Sequence, residues 1–109
     1  MKKETVLTSA VIDAVNASTL ATVWRNHAGS VRVRRGYLHL GPEGTPDIIG
    51  FTRDGRFIGI ETKVAGNRTG KERLRLQEEW RARIVAAGGV AGFARSVDEA
   101  LALLRARGH

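Results

Sequence analysis

The chain has 109 residues, of which 42% are hydrophobic, and its formal net charge is +7. This length predicts one domain, residues 1–109, with a modest core. The absence of cysteine excludes disulfides, thiolate zinc sites and cysteine nucleophiles. No apolar run is long enough to span a membrane, and the N-terminus lacks a signal-like apolar region. We therefore expect a cytoplasmic, intracellular protein without membrane contact.

The positive charge comes from fourteen arginines and four lysines. The planar guanidinium of arginine can grip a phosphate with two hydrogen bonds, which an ammonium group cannot do. This balance predicts a polyanionic partner, above all a nucleic acid. The alternative is that the basic residues only keep the surface soluble.

The first half of the chain predicts a helix over residues 4–17, a strand over 20–25 and a turn over 26–30. Residues 31–40 fit no single element clearly, although the alternating valine and arginine suggest a strand with one basic face. The apolar stripe of the helix contains Val6, Leu7, Ala10, Val11, Ala14 and Val15.

The second half predicts two strands, a helix, a strand and a last helix. The first four cover residues 47–52, 56–64, 71–87 and 90–94. The long helix should bury Leu76, Trp80 and Ile84, and a capping box from Ser96 to Glu99 opens the last helix. The predicted fold is therefore α/β, with a central mixed β-sheet flanked by helices in the order αβββαβ plus a C-terminal helix.

The candidate chemistry lies in Thr45-Pro46-Asp47 and in Glu61-Thr62-Lys63, at the open ends of the two central strands. Glu61 and Lys63 share one face of their strand, because alternate residues of a strand point the same way. Gly59 precedes Glu61 on that face, and we expect its missing side chain to leave space for a metal or a phosphate.

The turn between the strands decides whether Asp47 meets Glu61. A two-residue loop at Asp54-Gly55 would pair Asp47 with Thr62, on the wrong face. A three-residue loop over 53–55, with Gly55 in the left-handed conformation, would pair Asp47 with Glu61. We predict the three-residue loop.

Two carboxylates with a backbone carbonyl, such as that of Thr62, form a hard oxygen set suited to Mg²⁺ or Mn²⁺. Such a metal polarises a phosphoryl oxygen and acidifies a bound water. Lys63 would either orient that water or stabilise charge on the phosphate, and the sequence leaves both roles open.

Pro46-Asp47 with Glu61-Thr62-Lys63 resembles the motif of the PD-(D/E)XK nucleases. The chain looks most like the virus-type replication-repair nuclease (VRR-Nuc) domain, in its stand-alone phage or prophage form. Further segments carry the likeness: Glu4, Trp24-Arg25-Asn26, Gly44 to Gly50, Gly55 to Lys63, Gln77 with Trp80, and Gly88-Gly89.

The resemblance implies a restriction-endonuclease-like core, dependence on Mg²⁺ or Mn²⁺, and cleavage of branched or flapped DNA in replication and repair. It makes Asp47 and Glu61 metal ligands and Lys63 the catalytic lysine. Glu4 would be an additional acidic residue of the metal site, and Gln77 a polar residue on the helix behind it.

The DNA backbone should contact arginines just before the site and basic residues around the loop after it. These candidates are Arg25, Arg32, Arg34, Arg35, Arg68, Lys71 and Arg73. We expect a homodimer, because symmetric cutting of a four-way junction needs two active sites.

Three alternatives remain at the level of sequence. The first is a non-catalytic DNA-binding module. The second is a nuclease for another nucleic acid such as single strands or RNA, and the third is a subunit that depends on a replication or helicase partner. The first would require neither Asp47 nor Glu61.

Overall fold

The computed structural model describes residues 2–27 and 29–107. Three helices and six strands follow one another in these residues: α1 (Lys3–Ser18), β1 (Ala21–Arg25), β2 (Gly29–Val33), β3 (Gly36–Gly41), β4 (Ile48–Thr52), β5 (Phe57–Thr62), α2 (Lys71–Ala86), β6 (Val90–Ala94) and α3 (Val97–Arg107).

Four strands form the central sheet, in the spatial order β1-β4-β5-β6. Strand β4 is antiparallel to both of its neighbours, whereas β5 and β6 are parallel and joined through α2. The sheet is therefore mixed, and helices cover it on both sides. This confirms the predicted α/β class and the predicted order of the core elements.

The segment 31–40, where the sequence suggested a strand, does not form one continuous strand. The chain forms a separate two-stranded hairpin there, β2 with β3, whose register pairs Val33 with Gly36. The turn consists of Arg34 and Arg35, and Gly36 follows it with φ of 128°, a conformation that glycine adopts without strain. The predicted turn over 26–30 was also too long, because β2 already begins at Gly29.

The core lies between the sheet and the pair α1 and α3, with α2 on the other face. Helix α1 buries Thr8, Val11 and Val15, which recur at helical spacing. The predicted apolar stripe does not coincide fully with this buried face, since two of its residues face outward: Val6 is 51% exposed and Ala10 is also exposed. The largest core side chains of the sheet are Ile48, Ile58, Ile60 and Val90.

The last two helices begin close to where the sequence placed them. Helix α2 buries Ile84 as predicted, but Leu76 and Trp80 are only half-buried. At α3, the Ser96 hydroxyl accepts the backbone N–H of Glu99, as a capping box requires. The Glu99 carboxylate accepts the N–H of Arg95 and not that of Ser96. Within 2–27 and 29–107, no helix is both long and apolar enough to cross a membrane.

Candidate metal and nucleic-acid site

The turn between β4 and β5 has the predicted three-residue form. The register pairs Phe51 with Phe57 and Ile48 with Ile60, so its continuation sets Asp47 opposite Glu61. The N–H of Gly55 donates to the carbonyl of Thr52 at 3.0 Å, and Gly55 has φ of 88°. A left-handed glycine at the third position thus brings the two carboxylates to one face.

Asn26 fixes the chain just before β4. Its backbone N–H donates to the carbonyl of Asp47 at 2.7 Å, which extends the β1–β4 ladder by one bond. Its side-chain amide donates to Thr45 Oγ1 at 3.0 Å and to the Pro46 carbonyl at 2.9 Å. The Thr45-Pro46-Asp47 segment is therefore held by the residue that directly follows the edge strand β1.

The carboxylate of Asp47 is anchored by Thr62. Asp47 Oδ2 accepts the Thr62 backbone N–H at 3.0 Å and the Thr62 hydroxyl at 2.9 Å. The Thr62 hydroxyl oxygen also lies 2.7 Å from that of Thr8 on α1. Because both Thr62 bonds go to Oδ2, Oδ1 of Asp47 takes no part in this anchoring.

Gln77 joins Glu61 to Lys63 from the facing helix. Its amide nitrogen donates to Glu61 Oε2 at 3.1 Å, and its amide oxygen accepts Lys63 Nζ at 2.7 Å. Lys63 Nζ donates a second bond to Thr69 Oγ1 at 2.6 Å. Glu61 and Gln77 are both buried, so the acid and the lysine are held in fixed relative positions.

The electrostatics of the site centre on Glu61. Burial, together with the neighbouring carboxylate of Asp47, raises the pKa of Glu61 to about 9. The positive charges of Lys63 and Arg73 act in the opposite direction but do not offset this effect. Two carboxylates this close favour either a proton or a cation between them.

A cavity of about 540 Å³ opens in front of Glu61 and Lys63. Its walls come from the N-terminal turn of α1, the end of β5, the loop before α2 and the first turns of α2. Its charged lining residues are Glu4, Glu61, Lys63, Arg68 and Arg73. Asp47 is outside this lining and approaches Glu61 from the neighbouring strand.

The acidic residues fit a divalent cation through two carboxylates. Among the residues that the structure describes, no three acidic, histidine or cysteine side chains form a group that could hold a metal ion. Glu4 therefore lies at the rim of the cavity without completing a three-acid cluster. The Thr62 carbonyl points toward β4, where Asp47 lies, because its N–H does so and both groups of a strand residue share one side. Mg²⁺ commonly takes one or two carboxylates and keeps several waters.

Gly59 does not provide the space expected of it. A Cβ atom on Gly59 would lie 2.7 Å from Cδ1 of Ile84 and 2.7 Å from Cγ of Pro46. Side chains of α2 and of the segment before β4 therefore occupy the space that a side chain at position 59 would need. The expectation that metal or phosphate approaches there is wrong.

The predicted DNA contacts fall into two groups. Arg68 and Arg73 line the cavity, and Lys71 is exposed at the first residue of α2. The other four do not line it: Arg25 on β1 donates to Ser9 Oγ at 3.2 Å, and three are exposed on the hairpin. Those three are Arg32, Arg34 and Arg35.

Sequence reasoning missed three residues that support the site. They are Thr8, Asn26 in its clamping role, and Thr69. Thr8 carries a signal that was available, since a threonine recurs with Val11 and Val15 on the buried face of α1. Thr69 lies in the irregular loop between β5 and α2, and nothing in its sequence context indicates a bond to Lys63.

No protein-family model matches the chain, and a comparison with curated proteins finds no match either.

Proposed function

We propose that the chain is a Mg²⁺- or Mn²⁺-dependent endodeoxyribonuclease that hydrolyses phosphodiester bonds in branched DNA. The observation that carries the proposal is the convergence of Asp47, Glu61 and Lys63 beside a cavity lined by arginine. The burial that raises the pKa of Glu61 would be costly at neutral pH unless a proton or a cation compensated it.

Asp47 and Glu61 would hold the cation, together with the Thr62 carbonyl. When bound, the cation supplies Lewis-acid polarisation of the phosphoryl oxygen and a more acidic water. Thr62 keeps Asp47 Oδ2 occupied, so Oδ1 is the oxygen left for the cation. Gln77 similarly occupies Glu61 Oε2 and orients that carboxyl group.

Lys63 suits an electrostatic role. Its two partners, Gln77 Oε1 and Thr69 Oγ1, are both acceptors, so Nζ donates two hydrogens to them. An ammonium group has three donors, which leaves one for a phosphate oxygen in the cavity. We therefore favour stabilisation of the developing negative charge over removal of a proton from water.

Arg68 and Arg73 would bind the DNA backbone on either side of the scissile phosphate, because both line the same cavity as Lys63. The first turn of α2 borders the cavity as well, and free N–H groups at a helix start favour a phosphate. Arg32, Arg34 and Arg35 would contact DNA further away, from the hairpin. Lys71 and Arg25 would add to the positive field around the site.

The substrate class rests on the resemblance described above and on the charge. We propose branched DNA, either a four-way junction or a flap, cut by a homodimer that acts in replication or repair. A two-fold dimer would present two sites to a symmetric junction.

The test incubates wild-type protein and Lys63→Ala with a labelled four-way junction, a 5′ flap and plain duplex. Each reaction contains Mg²⁺, Mn²⁺ or EDTA. Arg105→Ala is the matched control, because it removes one positive charge from an exposed position of α3. We expect metal-dependent cutting of branched DNA by wild type and by Arg105→Ala, and loss of cutting in Lys63→Ala.

Each other result has a distinct meaning. Cutting of the flap alone would keep the chemistry and contradict the symmetric-junction substrate. Cutting that survives in Lys63→Ala would remove Lys63 from the reaction. Binding by wild type without cutting, under every metal, would overturn the nuclease and favour a DNA-binding module.

A further inference from the structure

Three aromatic side chains form an exposed row on the sheet face that bears the site. Trp24 on β1, Phe51 on β4 and Phe57 on β5 are each 48% exposed. Phe51 pairs directly with Phe57 across the strands, and the ring of Trp24 meets that of Phe51 edge-to-face at 6.3 Å. Helix α2 packs over β5 and β6 and leaves this aromatic row accessible.

The aromatic row lies close to the candidate active site. Trp24 is two residues before Asn26, whose N–H bonds the carbonyl of Asp47. Residues two apart in a strand share a face and lie roughly 7 Å apart. A strand of nucleic acid leaving the carboxylates could therefore reach Trp24 within a few nucleotides, and Phe51 beyond it.

Positive charge and a fourth aromatic ring border the row. Arg53 and Arg56 lie between the strands of Phe51 and Phe57, and Arg56 Nε donates to the Asp54 carboxylate at 3.0 Å. A groove of about 470 Å³ continues from Phe57 and is lined by Arg56, Trp80 and Arg83. The Arg83 guanidinium lies over the Trp80 ring, 5.1 Å from its centre.

We infer that the aromatic row is a stacking platform for the unpaired bases of DNA. Bases in a duplex stack on one another, so only unpaired bases can lie on protein rings. The neighbouring Arg53 and Arg83 suit the phosphates of the same strand. A second copy of this chain suits the face less well, since a two-fold contact would bring Arg53 and Arg83 of both copies together. This inference rests on the proposed function in taking the ligand to be DNA.

The test measures binding apart from cleavage, in EDTA. The probes are a labelled oligothymidylate of roughly 15 nucleotides, near the upper site size of single-strand-binding folds, and an abasic strand of equal length. Anisotropy gives the affinity of wild type, Trp24→Ala and Phe51→Ala for each. Val6→Ala is the control, because Val6 is 51% exposed but lies on α1, which packs against the opposite face of the sheet.

We expect wild type and Val6→Ala to bind the oligothymidylate more tightly than the abasic strand. Each platform variant should lose about five- to hundredfold in affinity for the oligothymidylate, the range of stacking on one ring. Its affinity for the abasic strand should stay unchanged. Phe51→Leu keeps the apolar volume but removes the ring. It should therefore show the same loss of oligothymidylate affinity, and it tests the platform even if Phe51→Ala folds poorly.

Equal wild-type affinity for the two probes, or no binding of either, would overturn the platform. The platform would also be overturned if the variants bound both probes as wild type does but changed from dimer to monomer in sedimentation. A second copy of the chain would then cover the row. Base-dependent binding without metal-dependent cutting would contradict the proposed nuclease activity but not the platform. Cutting without base-dependent binding would contradict the platform but not the nuclease activity.

Discussion

The hydroxyl oxygens of Thr8 and Thr62 lie 2.7 Å apart in the core, although the residues belong to α1 and β5. The Thr62 hydroxyl donates its hydrogen to Asp47 Oδ2 at 2.9 Å. The oxygen of the Thr62 hydroxyl then accepts a hydrogen bond from the hydroxyl of Thr8. Thr8 has a second acceptor, the carbonyl of Glu4 at 2.8 Å, but only one hydrogen to give. The two threonines thus form a chain of hydrogen bonds that runs from α1 to Asp47.

We expect Thr8→Val to weaken both the fold and the site. The variant keeps the shape of the side chain but leaves the buried Thr62 oxygen without its donor, which costs about 1–3 kcal/mol. Loss of such supporting bonds lowers metal affinity or activity about 10- to 100-fold. Denaturant unfolding and Mn²⁺ titration measure the two effects.

Thr8→Ser should restore most of the metal affinity, because it returns the hydroxyl. Thr5→Val makes the same change in the same helix at a threonine that has no hydrogen bond to Thr62, and it should change neither quantity. An unchanged Mn²⁺ affinity in Thr8→Val would mean that Asp47 needs no support from α1.

The stability of the metal-free protein should fall as the pH rises. The pKa of Glu61 is about 9 in the folded protein, against an ordinary value of 4.5. The folded state therefore holds a proton that the unfolded chain releases between these values, and stability present at pH 5 is lost toward pH 9. One pKa unit corresponds to about 1.4 kcal/mol, so the loss from about pH 5 to pH 8 is at most about 4 kcal/mol.

Glu61→Gln should remove this pH dependence. Its free energy of unfolding in EDTA should exceed that of wild type at pH 8, and the two should converge near pH 5. Glu78→Gln changes an exposed acid on α2 and serves as the control. Parallel pH profiles for wild type and Glu61→Gln would show that Glu61 is already ionised in the metal-free fold.

Cation binding near pH 7.5 should release close to one proton per site. The carboxyl of Glu61 is protonated at that pH without metal, and a metal ligand must give up its proton. Calorimetric titration with Mn²⁺ in Tris and in PIPES, which differ in ionisation enthalpy, counts the protons. Asp47→Asn should abolish the binding, whereas identical heats in both buffers would contradict the proton release.

The pairing of Asp47 with Glu61 was predictable because it depends on local chemistry. The number of residues between the strands and the glycine at position 55 select one loop, and the loop sets the register. Lys63 follows from strand alternation. Each of these inferences uses only residues within one hairpin.

The bond between Thr8 and Thr62 was not predictable in the same way. The two residues are 54 positions apart, so the contact depends on how α1 packs against the finished sheet. The aromatic row has the same origin, since it is exposed only because α2 covers the other half of that face. The hairpin around Arg34 and Arg35 was missed because alternating valine and arginine fit one strand or two equally well.

Gly59→Ala should destabilise the protein by roughly 1–3 kcal/mol, the usual cost of overpacking. Its Cβ would lie 2.7 Å from side-chain atoms of both Ile84 and Pro46. Ile84→Val removes the Cδ1 atom, so the double variant should be less destabilised than the sum of the single ones. Gly41→Ala adds a methyl group in ordinary contact, 3.9 Å from the carbonyl of His27, and should have little effect. If Gly59→Ala instead kept full stability but lost Mn²⁺ affinity, Gly59 would be needed as open space beside Glu61, and not as a packing site.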